Sequence, residues 1–362
     1  MLVEGAILDI DGPRAAYVRF RRGRIVEVGA PGTASSRGRL RRTRGIVVPA
    51  PVNGHTHLGD AVSVREPPSG PVEELVAPPR SYKFQLLANA PRAAKVLAIR
   101  AALGRMVREG VAATLDFREE GTAGLQLLRA AGRGLPIRTF AFGRPLGRPI
   151  EPQELAQVLG AADGIGLSSA RDEDGATRRA VARACRLAGK RYGLHASESV
   201  REPPESYLDP TPDLLVHLTK ATPDDLEAVR DEDVAVAVCP RSNALFARQG
   251  DLRALERLGV RTLLGTDNAM FHPPSVWSEL QFAYTASRLL ERPASAAFLA
   301  RAALVEPWVW LGTPEAARVA PGTPVRPLVL RLPPDDPAYQ VVTRTTEQVI
   351  VRPGPRRSHP TR

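Results

Sequence analysis

VNGHTHLGDA, residues 52–61, places two of the chain's six histidines one residue apart, with a glycine before and a glycine after. Residues i and i+2 of a β-strand project from the same side, about 6.6 Å apart at Cα. Two imidazoles so arranged can converge on one metal ion at about 2.0–2.1 Å each. A solvated turn would carry the same pair to no purpose, so the reading depends on where the other four histidines fall.

The stretch overlaps an apolar run, IVVPAPVN (46–53), that begins a series. VAATLDF (111–117), IRTFAFG (137–143), GIGLSS (164–169) and YGLHAS (192–197) continue it, then DLLVHL (213–218), VAVAVCP (234–240) and RTLLGTD (261–267). Between these runs lie helical patterns. Pro91 to Glu109 ends before Gly110, and Thr177 to Ala188 ends before Gly189. Thr222, Pro223 and Asp225 read as N-cap, N1 and N3 of another helix. Eight buried strands alternating with helices predict parallel βα units, and eight such units close a (β/α)₈ TIM-like barrel. A doubly wound open sheet is the fallback.

Residues 1–45 alternate short β-like pieces with turns, and PGTPVRPLVLRLP (321–333) and YQVVTRTTEQVIVR (339–352) return to strand-like text. The expected organisation is a small flanking β-sandwich split between 1–45 and 313–352, a barrel over 46–312, and a disordered tail over 353–362.

The remaining histidines decide the matter. His195 ends the fifth run, His217 the sixth, and His272 sits just beyond the eighth; only His359 lies in the tail. Asp267 ends the eighth run. Five of six histidines thus gather at strand C-termini, the barrel face on which active sites are built. His55, His57, His195 and Asp267 offer three neutral nitrogens and one carboxylate, which suits one divalent metal, Zn²⁺ or Fe²⁺. Such an ion acidifies water toward neutral pH. Glu198, three residues after His195, faces the same mouth and can carry a proton from water to substrate. Gly54 and Gly59 are expected to let the backbone turn tightly beside the site.

VVPAPVNGHTHLGDA (47–61), HASES (195–199), VHLT (216–219), CPRSNALF (239–246) and GTDNAM (265–270), in this order, resemble the amidohydrolase superfamily. The nearer likeness is to its cytosine deaminase/chlorohydrolase-like branch, and it covers nearly the whole chain. The resemblance implies the same four ligands, with Glu198 as the proton-shuttling glutamate. It implies for His217 a role in orienting the attacking water or the substrate, or, in two-metal branches, a place on a second metal. Two-metal members bridge their ions with a carboxylated lysine or a glutamate from strand three or four. Here strand four ends GLSSA and strand three ends AFGRP, and none of the four lysines stands at either place, so one metal is expected. RPLVLRL (326–332) departs from the family's return strand in carrying no acid, and the chain is short for the family.

Substrate contacts are sought around that face. Lys83 and Gln85 lie in a long connection, 58–90, of the kind that forms lids. Arg118 and Glu119 follow strand two and either meet an anionic or amide group or pair with neighbouring charges. Arg241, Ser242 and Asn243 follow strand seven and are expected beside the metal, where Asn243 is either a pocket or a turn residue. Asn268 and His272 follow Asp267, and His272 either meets substrate or caps the next helix. Trp277, Trp308 and Trp310 read as packing residues.

Composition narrows the alternatives. The net charge of +11 comes from arginines spread along the chain, with small clusters such as RFRRGR (19–24) and GRLRRTR (38–44). Aromatic residues are too few to form stacking platforms between them, so nucleic acid is not the expected partner. No apolar run is long enough for a membrane span. The opening MLVEGAILDIDG carries acids where a secretory signal has a basic and then an apolar region, so a cytoplasmic setting is expected. Cys185 and Cys239 match no metal or redox spacing. The expected activity is hydrolytic deamination of a small nitrogen heterocycle, such as a nucleobase or nucleoside, by a chain that can form a homo-oligomer. Opening of a ring amide or lactam, or dechlorination, would use the same site. An inactive barrel serving as a basic binding protein is the reading from another class.

Overall fold

The structure, a computed structural model, describes residues 1–35, 41–63 and 65–353. The expected tail therefore lies, from residue 354 on, outside the described residues, as does the start of GRLRRTR. The chain divides into two compact units, Val52–Ser295 and, apart from it, Met1–Pro51 with the chain from Ala296 onward.

Four strands open the chain: β1 (Leu2–Asp9), β2 (Gly12–Arg21), β3 (Arg24–Gly29) and β4 (Arg42–Val48). β1, β2 and β3 form an antiparallel meander, and β4 runs parallel to β1 with Ile46 opposite Ala6. The run 46–53, expected as one barrel strand, is therefore two. Pro49 and Pro51 lack the N–H that a ladder needs, so one strand stops at Val48 and the next begins at Val52. Its first half belongs to this small sheet.

Its second half is β5 (Val52–His57), the first of nine parallel strands. The others are β6 (Ala113–Arg118), β7 (Arg138–Gly143), β8 (Gly164–Leu167), β9 (Arg191–Ala196), β10 (Leu214–His217), β11 (Ala235–Val238), β12 (Thr262–Leu264) and β13 (Asp267–Asn268). Their order is β12-β11-β10-β9-β8-β7-β6-β5-β13. Every residue of β5, β6, β8, β10 and β11 is buried, as expected of strands covered on both faces. The sheet curls in a TIM-like way. Gly265 N–H donates to Val238 O at 2.9 Å, and Thr266 N–H donates to His55 O at 3.0 Å. One short segment thus bonds to both ends of the sheet.

A helix follows most strands, and side-chain caps fix several starts. Asp174 accepts from Thr177 N–H at 2.8 Å, and Thr222 and Asp225 form the reciprocal capping box of Pro223–Asp231. The long connection after β5 is not bare loop. It holds a 3₁₀ turn (Leu58–Val62) and the helices Val72–Val76 and Tyr82–Asn89.

The other unit is completed by β14 (Leu328–Leu330), antiparallel to β4, and β15 (Ile350–Val351), antiparallel to β14. The result is one six-stranded sheet, β15-β14-β4-β1-β2-β3, and not a two-sheet sandwich. The missing strand is a helix. Asp336 caps Pro337–Arg344, with proline at N1, so YQVV is helical despite its β-branched residues. That helix packs against Ala296–Leu304, which is why the chain from 296 groups here and not, as expected, with the barrel to 312. Val3, Ile7, Val18, Phe20, Val47 and Val329 lie in this unit's core. No helix among the described residues is long and apolar enough to cross a membrane.

Candidate metal centre

β5 carries His55 and His57 on one side, and β13 lies beside it with Asp267 opposite Thr56, between the two histidines. β9 brings His195. One ligand nitrogen from each of the three histidines lies within 4.8 Å of the others. Asp267 Oδ1 is 3.3 Å from His55 Nε2 and 3.5 Å from His57 Nε2.

Protons on these rings can be placed from their outer partners. His57 Nδ1–H donates to Glu119 Oε1 at 2.7 Å, and His195 Nδ1–H donates to Leu167 O at 3.1 Å. Both Nε2 atoms are then bare acceptors, yet they face each other at 3.3 Å. His55 is fully buried, with neither ring nitrogen hydrogen-bonded. Burial holds all three rings neutral: His57 falls to about 3, with Lys83 adding to the effect, and His55 and His195 also fall. Burial works against the Asp267 carboxylate, but the His55 ring beside it, with His217 and His57, keeps it well below the usual range. Ser242 Oγ donates to Asp267 Oδ2 at 2.5 Å, which leaves Oδ1 to the histidines. Buried acceptors converging without donors fit a cation and little else.

The backbone is bent to suit. Ser197 and His217 take positive φ of 46° and 80° where β9 and β10 end, and Asp267 takes 58° where β13 begins. Such conformations cost about 1–3 kcal/mol each and gather at functional sites. Gly54 and Gly59 have another reason than turning. A Cβ on Gly54 would lie 2.8 Å from Leu263 Cβ, and one on Gly59 would lie 2.1 Å from Arg118 Nη2. Close packing requires them.

Above the rings lies a cavity of about 300 Å³ lined by His57, His195, His217, Glu198 and Asp267. Glu198 Oε2 is 3.7 Å from His217 Nε2. Phe246 and Phe271 meet edge to face at its wall, with ring centroids 5.5 Å apart.

The other expected contacts divide. Asn268 lines the cavity, though its Oδ1 accepts Met270 N–H at 2.8 Å. Lys83 also lines it, but its ammonium is committed to Asp60 Oδ2 at 3.0 Å and Glu119 Oε1 at 2.5 Å. Arg118 is buried between Glu119 Oε2 (2.5 Å) and Asp116 Oδ2 (3.4 Å), off the cavity. Glu119 stands behind His57. Gln85 is exposed and donates to Arg80 O at 2.9 Å. Arg241 Nε donates to Glu279 Oε2 at 2.6 Å and clamps a loop, Asn243 is buried in Pro240–Leu245, and His272 also lies off the lining. Trp277 and Trp308 donate to Glu109 O and Ala50 O as packing residues.

Ser242, expected beside the site, holds Asp267 from behind; sequence reasoning missed Asp60 and Asp116, which bond Lys83 and Leu58 N–H behind the histidines, and Arg144, which lines the cavity. His57, Asp60 and Glu119 form a second group with metal-like spacing, but the Lys83 ammonium already sits on both of its carboxylates.

No family profile matches the chain. An archaeal protein from Methanothermobacter thermautotrophicus, provisionally named an aminohydrolase, is 32% identical over 275 residues, 70% of this chain and 71% of the relative. A similarly named protein from Archaeoglobus fulgidus is 31% identical over 69% of this chain and 72% of its own length. Among solved structures, a zinc-bound adenosine deaminase from Xanthomonas campestris aligns with a TM-score of 0.72 at 17% identity, covering 96% of this chain and 90% of that one. An atrazine chlorohydrolase variant from Arthrobacter aurescens, complexed with zinc and atraton, gives 0.74 at 18%, covering 98% and 94%. A guanine deaminase from C. acetobutylicum with guanine in its active site gives 0.69 at 12%, covering 98% of each chain. Sequence relatives, fold and the order of the motifs agree: the chain belongs to the amidohydrolase superfamily, in its deaminase and chlorohydrolase-like branch.

Proposed function

We propose that the chain is a metal-dependent aminohydrolase that removes ammonia from a small nitrogen heterocycle. The observation that carries the reading is the pair of Nε2 acceptors, His57 and His195, held face to face at 3.3 Å beneath a cavity that also presents Glu198. We read β12 and β13 as two halves of an eighth strand, which makes the sheet a closed (β/α)₈ barrel with the site at its C-terminal face.

His55, His57, His195 and Asp267 would hold one divalent metal, zinc or iron. A cation there supplies Lewis acidity, which makes water a nucleophile near neutral pH. Lys83 favours a single ion, because its ammonium already sits on both Asp60 and Glu119, the carboxylates of the second group. Asp267 and His217 orient and help deprotonate the water. Glu198 takes a proton at a carboxylate oxygen and gives it to a ring nitrogen as water adds to the carbon bearing the amine. It then assists departure of ammonia, so that water and the amino-heterocycle become the oxo-heterocycle and ammonia. Phe246 and Phe271 offer flat apolar surface to the ring.

The test is ammonia release over a heterocycle panel by protein with measured metal content. Glu198→Gln should keep its metal and lose about 10²–10⁴-fold in rate. Turnover retained in that variant refutes the role of Glu198. Ring opening or chloride release without ammonia would reassign the reaction to ring-amide hydrolysis or dechlorination at the same site.

A further inference from the structure

Arg144 is the first residue after β7. Its backbone N–H donates to Arg118 O at 2.9 Å, which extends the β7–β6 ladder by one residue and brings the side chain to the cavity wall. It is only 8% exposed. Its guanidinium makes no hydrogen bond or ion pair with any described residue, and its Nε is wholly buried. The chain's other buried arginine at this face, Arg118, has two carboxylates. A guanidinium keeps its charge at any relevant pH and offers five donors in a planar fork. Buried and unpartnered, it matches an anion that arrives with a ligand.

The neighbours on that wall are suited to the same guest. Ser168 Oγ accepts from Arg148 Nη2 at 3.4 Å, and Ser169 Oγ accepts from Arg171 N–H at 3.0 Å. Each hydroxyl therefore still has its own proton to donate. These serines stand at the end of β8, and Arg144 at the end of β7. Four acids besides Asp267 line the cavity, and none pairs with Arg144, which feels Glu119, Asp172 and Asp60 only at a distance. Glu202 Oε2 accepts Ser197 N–H at 2.5 Å, Glu73 bonds Ser199, and Glu198 faces His217 and Arg248. Asp172 is exposed and makes no ion pair with Arg144.

We propose that Arg144, with Ser168 and Ser169, forms an anion subsite, and that the substrate is a heterocyclic amine bearing a carboxylate or phosphate group. This rests on the reading that the cavity is the substrate site. The anion would lie on the β7–β8 wall, beside the β9–β10 edge that carries Glu198 and His217.

The test uses zinc-loaded full-length protein and two readouts. First, inorganic phosphate and acetate are titrated calorimetrically into wild type and Arg144→Gln. One anion per chain should bind wild type, about tenfold or more weaker in the variant. Which of the two binds tells phosphate from carboxylate. Absence of binding, or binding that survives in Arg144→Gln, as an anion held by the metal would, overturns the proposal. Arg144→Lys, which keeps the charge but not the fork, should fall between them and serves if Arg144→Gln does not fold. Second, kcat/KM is compared for heterocyclic amines bearing a carboxylate or phosphate and for their neutral counterparts. Wild type should favour the anionic member by about tenfold or more, and Arg144→Gln should erase that ratio. Ammonia from neutral members alone overturns the subsite and leaves the deaminase reading standing. Arg144-dependent anion binding with no ammonia from any heterocycle does the reverse.

Discussion

Glu119→Gln keeps the shape of a side chain while removing a charge and exchanging an acceptor for a donor. Glu119 Oε1 receives His57 Nδ1–H at 2.7 Å and Lys83 Nζ at 2.5 Å, and Oε2 receives Arg118 Nη2 at 2.5 Å. A glutamine can keep its carbonyl on the His57 and Lys83 side only by turning its own N–H₂ toward Arg118. The opposite orientation sets donors against both His57 and Lys83. Asp60 and Asp116 remain to balance Lys83 and Arg118, so no bare charge is stranded, and the stability cost should be about 1–3 kcal/mol. The metal should feel the change more. A carboxylate behind an imidazole fixes the ring and raises the basicity of its outer nitrogen, and losing such a partner weakens metal binding about 10–100-fold. That is about 1.4–2.8 kcal/mol. His57 is pushed down to about 3, chiefly by burial, so protons do not compete at pH 7 and the loss should read directly as metal affinity. The assay is zinc titration against a chromophoric chelator, with denaturant unfolding alongside. Affinity unchanged within about twofold would show that Glu119 does not position His57.

Ser242→Ala removes the donor to Asp267 Oδ2, a buried bond to a charged group worth about 1.5–3 kcal/mol; unfolding of the metal-free protein should show that loss, and an unchanged midpoint would refute it. Gly265→Ala would set a Cβ 2.7 Å from both N and Cβ of His55, so stability should fall by about 1–3 kcal/mol and zinc affinity with it; wild-type values for both would mean that the backbone yields freely. Glu279 is buried and pushed up to about 6, chiefly by burial, with Arg241 opposing. Its folded form therefore binds a proton that its unfolded form has released between pH 4.5 and 6, and stability falls as pH rises through that window. The contribution is about 2 kcal/mol, and Glu279→Gln should flatten the slope there; an unchanged slope would assign the proton elsewhere.

Much of the site could be read from short-range pattern. His55 and His57 share a face because a strand has period two, and the apolar runs betray strands that are buried on both sides. The helix start at Thr222, Pro223 and Asp225 is likewise local, and it formed as read. What escaped depends on partners distant in the chain. Nothing near Lys83 says that its ammonium will be sealed between Asp60 and Glu119, and nothing near Arg241 says that Glu279 will take it. Arg144 was visible within AFGRP, but only burial without a partner marks it. The strand boundary at Pro49 and Pro51 was legible, since two prolines within three residues cannot serve one ladder. The helix at Pro337–Arg344 was signalled by Asp336 and Pro337, against the β-branched residues that followed.

The pairing of β5 with β13 has a consequence for the order in which the molecule is made. Asn53 and Thr266 are 213 residues apart, yet Asn53 Nδ2 donates to Thr266 Oγ1 at 2.8 Å beside the site. A nascent chain emerging from the ribosome owns His55, His57 and His195 by residue 195, but Asp267 only at 267. Until then the edge of β5 stands open, and closing a loop of this length costs about 5 kcal/mol in chain entropy. This corner of the sheet therefore closes late, and an ion held between His55 and Asp267, as proposed, would fasten β5 to β13 like a buckle.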